Sequence, residues 1–514
     1  ILSSCSDEID YNEIITYDKG DIFSSFDRTK NFVTNIYAYM DYDFGNYYSG
    51  AMLASACDEA EYAWTWSSIH DFYNGSWSAV NPKQSIWVDS YAGIRAANLY
   101  LIESKGQTFE PFKHNKDYPE QMDRFNRYQY EVRFLRAYFY FNLVKQYGDV
   151  PFVTTVLNEA EANSVSRASA NTIFKYIVDE CDAIIDELPV YYKTPETKYD
   201  ETGRINRGAA LALKARALLY QASPLFNSSN DKALWKSAAE ASKDVIDFCT
   251  TNSKTLGAYT ALWGTESYNA SEILLARRIG DLNYLESYNF PVGVEGGHSG
   301  NCPTQTLIDA YEMKSTGKAW DEPGSGYNAQ NPYNDRDPRL EMTIAKNGDT
   351  GWPTYNATPL QTYIGGANAA PLSGATPTGY YLKKFCDASV DLRPNSTNSK
   401  RHSWVTFRLG EFYLNYAEAT FRYLDSPDAT DATLTMSACE AVNKVRSRTG
   451  VAMPGFPIGM SNQDFEKKYM NERMVELAFE GHRFWDVRRW KKGEVLKSIN
   501  RMQITRDAST GVLT

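Results

Sequence analysis

Residues 128–148 read YQYEVRFLRAYFYFNLVKQYG, and the spacing within them decides the fold class. Val132, Leu135, Phe139, Leu143 and Tyr147 recur at intervals of three and four, which lays them along one helix face. Gly148 then supplies a residue suited to ending the helix. The same pattern recurs outward from this stretch. Arg207–Ala222 is rich in Ala and Leu and stops at Ser223-Pro224. Leu234–Phe248 places Ala238, Ala241, Val245 and Phe248 on one side, and Arg408–Tyr423 does so with Leu409, Phe412, Tyr416 and Ala419. Ala438–Arg448 ends at Gly450. Ser461-x-x-Asp464 resembles a capping box and opens a helix through Met470, Met474, Leu477 and Ala478. Ala209, Ala210, Ala212, Ala215 and Ala217 allow neighbouring helices to approach closely. Paired helices with alanine at the contacts predict a mainly α chain, a tetratricopeptide-like helical solenoid. No strict period of about 34 residues is visible, so the repeat is degenerate.

The remaining sequence has another texture. Residues 40–90 and 280–400 are rich in Gly, Asn, Asp, Pro, Trp and Tyr, with turn signals at Gly296-Gly297 and Gly365-Gly366. Long irregular segments in a compact chain usually carry function, so both are expected to face a ligand or partner. Helical patterns on either side of the long middle segment argue for one domain over 1–514.

Composition removes whole classes of function. The chain has 514 residues and a net charge of −11, from 53 Lys+Arg against 64 Asp+Glu, which argues against coating a nucleic acid. No run of roughly 18 apolar residues is present, so no membrane-spanning helix is expected. The cysteines (Cys5, Cys57, Cys181, Cys249, Cys302, Cys386 and Cys439) are widely spaced, and the five histidines form no i,i+4 pair. That leaves no zinc or iron–sulfur pattern and no cofactor or metal expectation. Most of the thiols read as small buried hydrophobes. Cys5 differs: Leu2-Ser3-Ser4-Cys5 resembles the end of a bacterial lipoprotein signal. On that reading residues 1–4 are a signal remnant, Cys5 carries lipid and 5–20 form the lipidation site and tether.

The aromatic content, 37 Tyr, 24 Phe and 11 Trp, points to surfaces with an apolar face and a polar edge. Sugars offer C–H groups on one face and hydroxyls around the rim, so flat rings and Asp, Asn or Arg forks read them together. Trp64, Trp66, Trp77 and Trp87 cluster in non-periodic sequence near Asp58, Glu59 and Asp71. Asp41, Asp43 and Asn46 supply polar forks beside the turn residue Gly45, and Arg95 and Asn98 lie three apart after Trp87. Of these, Asp41, Asp43, Asn46, Asp58, Trp64, Trp66, Trp87, Arg95 and Asn98 are candidate ligand contacts. Glu472, Glu476 and Glu480 offer carboxylate pairs of the kind glycoside hydrolysis uses, but with Arg473 and Arg483 they read first as helix-stabilising charges. Asp335-x-Asp337 is an isolated pair of acids.

Four segments together resemble the SusD/RagB family of outer-membrane glycan-binding lipoproteins. They are Glu131–Asn142 followed by Tyr147–Pro151, Gly203–Arg216, Phe407–Glu418 with Val442–Gly450, and Glu472–Trp490. Asn334–Arg339 and Thr304–Tyr311 also fit, and the matches run in the family's order along almost the whole chain. The resemblance implies a non-catalytic, lipid-anchored protein on the exterior of the outer membrane. Such a protein captures oligosaccharides and acts as the lid of a SusC-like TonB-dependent barrel. It also implies a ligand site drawn from the N-terminal loops and from those before Thr304, which adds Asn301, Cys302 and Trp320. One departure stands out: the proline-rich C-terminal segment the resemblance implies is not found before Thr514, and further residues are expected beyond it. The competing readings are a peptide- or protein-binding helical-repeat scaffold and a glycosidase.

Overall fold

The computed structural model describes residues 17–83, 86–192 and 201–514. Its longer helices are α1 (Phe26–Tyr37), α2 (Trp87–Glu103), α3 (Tyr118–Tyr147), α4 (Ala170–Ile184), α5 (Arg207–Ala222), α6 (Lys232–Thr251), α7 (Leu409–Leu424), α8 (Ala438–Arg446), α9 (Asn462–Glu476) and α10 (Arg483–Arg489). Helix makes up 43% of the described residues against 8% strand, so the molecule is mainly α, as the periodicity predicts.

Local chemistry starts and stops these helices. The Asn206 side chain accepts from the Ala209 amide at the start of α5, and Ser461 does the same for Asp464 at the start of α9. Ser437 and Glu440 form a reciprocal capping box on α8. Gly148 ends α3 at a φ of +70°, a conformation that disfavours residues with a Cβ. Several boundaries differ from the sequence reading, among them three that change an element's make-up. Helix α3 begins at Tyr118 rather than Tyr128, Arg408 belongs to a strand, and Leu477 and Ala478 lie past the end of α9.

From α2 to α8 each helix packs on the next, which is the solenoid arrangement. Small residues set the spacing. Ala209, Ala210, Ala212, Ala215 and Ala217 are all fully buried, and a Cβ on Gly93 of α2 would come within 2.5 Å of the Phe139 ring of α3. One join is unusual. Helix α6 packs against α7, although the whole segment between Thr251 and Leu409 intervenes in sequence. That segment leaves and re-enters through an antiparallel ladder of β2 (Ile273–Leu282) and β4 (Lys400–Arg408). A shorter ladder joins β1 (Ala60–Tyr62) to β3 (Asn301–Pro303).

The acidic and basic residues of the last motif form a buried ionic core. Glu476 Oε2 accepts from Arg339 Nη1 at 2.8 Å, and its Oε1 accepts from Arg408 at 2.7 Å and also from Arg448. Burial alone would raise the Glu476 carboxyl, but the guanidinium charges of Arg448, Arg408 and Arg339 outweigh it and hold it down at about 2. Glu472 pairs with Arg339 and Arg446, and Glu480 with Arg408 and Lys384. These carboxylates therefore act as cross-links that tie α9 and the turn after it to the middle segment and to the end of α8. Asp337 is likewise bound to Arg339, at 2.7 Å. The six described cysteines are free and buried; Cys5 lies outside the described residues. No helix among the described residues is long and apolar enough to cross a membrane.

Candidate functional site

The ladder between β1 and β3 places Glu61 opposite Cys302 and Tyr62 opposite Asn301. It brings the N-terminal loop onto the middle segment, and the chain beyond β1 rises from it carrying Trp64 and Trp66. The Ala63 amide donates to the Gly300 carbonyl at 2.9 Å. The Trp64 indole N–H donates to the His298 carbonyl at 2.6 Å. Gly374 closes the far side of Trp64: its φ is +75°, and a Cβ there would lie 2.3 Å from the indole. Trp64 is thus gripped on two sides. Trp66 is 61% exposed, with its ring 6.4 Å from that of Trp64 and tilted 34° to it. Tyr62 meets Trp66 edge-on at 6.2 Å.

A polar chain borders these rings. The Tyr73 hydroxyl donates to Glu61 Oε1 at 2.8 Å and contacts His70 Nδ1, while His70 Nε2 lies 3.0 Å from the Trp64 carbonyl. Burial pushes the Glu61 carboxyl up, against the opposing influence of Tyr73 and His70. The result is a solvent-facing aromatic surface with hydroxyl, imidazole and carboxyl groups at its edge. Such a surface can cover the C–H face of a sugar ring and hydrogen-bond its hydroxyls.

The twelve candidate residues divide by position. Trp64 and Trp66 form the exposed face. Beneath it, Asn301 is fully engaged: its Oδ1 accepts from the Met52 amide at 2.7 Å and from Ser55 at 3.0 Å, and its Nδ2 donates to Gly50 and Asn289. Cys302 is buried in β3, where burial pushes its thiol up to about 12. Asp58 is buried and holds Arg483 of α10 through two bonds of 2.9 and 2.7 Å. These three side chains meet protein and serve as the scaffold of the face.

Asp41 and Asp43 line a small cavity of about 60 Å³ with Tyr138, Asn142, Lys145, Arg216 and His482. That is far below the roughly 300–1,000 Å³ of ligand sites. Asp41 accepts from the Tyr138 hydroxyl and the Asn142 amide, and Asp43 from the Leu53 amide at 2.6 Å. Burial lifts the Asp43 carboxyl to about 6. Asn46 is exposed on the same loop.

Trp87, Arg95 and Asn98 line a separate groove of about 300 Å³ against residues 151–165. There Asn98 is buried, bonded to the Thr155 carbonyl at 2.9 Å and to Arg136 at 2.8 Å, and Arg95 donates to the Leu157 carbonyl. Trp320 stands elsewhere, edge-on to Tyr327 at 5.3 Å. The structure therefore does not gather the twelve into one site. It adds Glu61, Tyr62, His70, Tyr73, His298 and Gly374 around Trp64 and Trp66. Of these only Tyr62, alternating with Trp64 and Trp66, leaves a readable trace in the sequence.

Comparison with known proteins places the chain in a family. Residues 272–510 match the model described as SusD family, and residues 18–219 match one described as starch-binding associating with outer membrane. The chain belongs to the SusD/RagB family. It is similar to the SusD-like protein P25 of Formosa agariphila, 24% identical over 385 residues, which cover 70% of this chain and 63% of that relative's length. Among solved structures it resembles a SusD-like protein of Bacteroides fragilis with 24% identity and a TM-score of 0.76, covering 96% of this chain and 91% of that one. A SusD-like carbohydrate binding protein of the same organism gives 25% identity and a TM-score of 0.74, covering 96% and 94%.

Proposed function

We propose that this chain captures oligosaccharides at the Trp64–Trp66 face without cleaving them. The observation that carries the reading is a large indole left 61% exposed, beside a second one fixed by the His298 carbonyl and Gly374. Leaving such a ring in water forgoes burial free energy, and a ligand that stacks on it recovers that energy. The name of the carbohydrate-binding neighbour and the outer-membrane description of the family support the same reading. The proposal extends to location and partner: lipid on Cys5 tethers the protein to the outer membrane facing outward, and it acts as the lid of a SusC-like TonB-dependent barrel. A shallow, wet aromatic site binds weakly alone, and enclosure against a barrel supplies the second surface and a high effective concentration.

A non-catalytic role is favoured because Glu472, Glu476 and Glu480 are buried against guanidiniums, where no substrate reaches them. Native affinity gels across a panel of polysaccharides test the proposal, with retardation by at least one expected. Retardation by none, together with retention on an immobilised peptide library, would favour the scaffold reading and the groove at Trp87. Steady release of new reducing ends from any of the polysaccharides would overturn the non-catalytic assignment.

A further inference from the structure

A second concavity, of about 400 Å³, opens between α1, residues 201–204 and the first half of β2. Its lining is electrostatically opposite to the rest of the molecule. Lys30, Arg204, Arg277 and Arg278 face it against a single carboxylate, Glu201, in a chain of net charge −11. The carboxylates in and behind the wall are already used. Glu201 binds Arg124 and Arg204, and Glu131 accepts from Arg204 at 2.9 Å and from the Tyr37 and Tyr192 hydroxyls. Lys30, Arg277 and Arg278, by contrast, make no side-chain ion pair or hydrogen bond among the described residues.

The two arginines are nevertheless held in place. The Arg277 guanidinium lies 4.5 Å over the Tyr42 ring, and that of Arg278 lies 4.0 Å over Tyr268. Stacking on a ring occupies the face of a guanidinium and leaves its in-plane N–H groups free for a planar acceptor. Lys30 sits where burial, and after it the charge of Arg124, pushes its ammonium pKa down. An anion in the cleft would relieve that repulsion. Four cations converging on a concave wall against the one carboxylate of Glu201 cost stability, and a bound oxyanion offsets the cost.

We propose that this cleft binds an oxyanion, a sulfate ester or carboxylate carried on an acidic saccharide, through Lys30, Arg277 and Arg278. The identity of the carrier rests on the glycan reading above; recognition of the anion does not. The volume admits a substituted sugar ring, within the roughly 300–1,000 Å³ typical of ligand sites. The cleft is also lined by Ala38 and Met40, which lead directly into the loop of Asp41.

The test is calorimetric titration of the full chain with sodium sulfate, glucose, glucose 6-sulfate and glucuronate at low ionic strength. Sulfate and both charged sugars are expected to bind, the sugars at least about tenfold tighter than glucose, as one or two charge-assisted bonds provide. Lys30→Gln and Arg278→Gln should each weaken sulfate binding about tenfold. Arg278 is exposed, so its variant keeps the wild-type circular dichroism even if Lys30→Gln does not. Absence of sulfate binding, or sulfate binding unchanged in Arg278→Gln, overturns the site. Sulfate binding with no preference for the charged sugars over glucose overturns the saccharide carrier. Trp66→Ala should leave sulfate binding intact. Sulfate binding that persists while no polysaccharide is retained would count against the glycan reading and leave the oxyanion site standing.

Discussion

Replacing Trp66 by alanine is the sharpest probe of the aromatic face. An indole side chain presents up to about 250 Å². At 61% exposure, roughly 150 Å² of Trp66 is in water in the free protein. A sugar ring stacked on one side removes about half of that, some 75 Å², worth about 2 kcal/mol at 25 cal/mol per Å². Trp66→Ala should therefore weaken binding of a retained polysaccharide about thirtyfold. Stability should change by no more than about 0.5 kcal/mol, because the ring contributes little to the core. Trp77 provides the internal control. It is 40% exposed, but its ring packs 5.0 Å from Phe72 and 6.3 Å from Phe484, away from the Trp64 pair. Trp77→Ala should destabilise the protein modestly and leave affinity unchanged. Affinity gels with graded polysaccharide concentrations give the dissociation constants, and urea melts give the stabilities. Unchanged affinity in Trp66→Ala with the wild-type melt, or equal losses in both variants, would refute the assignment of the face.

Other outcomes follow from the same geometry. Gly374→Ala places a Cβ against Trp64 in a left-handed backbone, so it should displace the indole and alter tryptophan fluorescence while leaving the helical circular dichroism intact. Asp58→Asn breaks the bidentate bond to Arg483 and leaves that charge unpaired, a loss of about 3 kcal/mol in a urea melt. Glu476→Ala removes the carboxylate shared by Arg339, Arg408 and Arg448, leaves three buried guanidiniums on Asp337, Glu472, Glu480 and Glu272, and should cost about 3–5 kcal/mol, read in a urea melt or as loss of soluble folded protein. Glu59 carries a pH signature. Burial, reinforced by the Asp58 charge, lifts its carboxyl from 4.5 to about 8 in the folded chain. The folded state therefore holds a proton that the unfolded state has released, and wild-type stability falls as pH rises between those values. Glu59→Gln lacks that slope, so its urea midpoint relative to wild type should climb from pH 5 to pH 8 and then level off.

The helices were legible because their signals are local. The cap at Ser461, the stop at Gly148 and the alanines of α5 sit within a few residues of what they control. The acidic and basic residues of Glu472–Trp490 read as structural from their helical spacing, and they are structural, but the partners of Glu472 and Glu476 are distant residues such as Arg339, Arg408 and Arg446 rather than neighbours on the same helix. The strands were not read. β2 and β4 are far apart in sequence and their pairing is broken by register shifts, so neither shows a clean alternation. Site residues divided for the same reason. An exposed Trp66 and a half-buried Trp87 look alike in sequence, because burial depends on which distant segment lies above each ring. Asn98 and Asn301 have the composition of ligand forks, yet buried backbone groups claimed them first. The cationic cleft was invisible because its members come from α1, the segment before α5, and β2, and none forms a motif.

The ladder of β2 and β4 has an evolutionary and engineering consequence. Because α6 and α7 stack directly, the stretch between them is a detour whose two ends are fastened together at its mouth. Stacking of α6 on α7 does not run through the detour, so its parts other than the anchors to the frame, such as Arg339, Lys384 and Asn301, are free to vary in length and content. A lineage can therefore rewrite the loop around His298 or Gly374, or lengthen it, without re-solving the helical frame. The same property makes the segment between β2 and β4 a unit for grafting between relatives, with the two strands as splice points and Arg339 and Lys384 retained to meet the carboxylates of the frame.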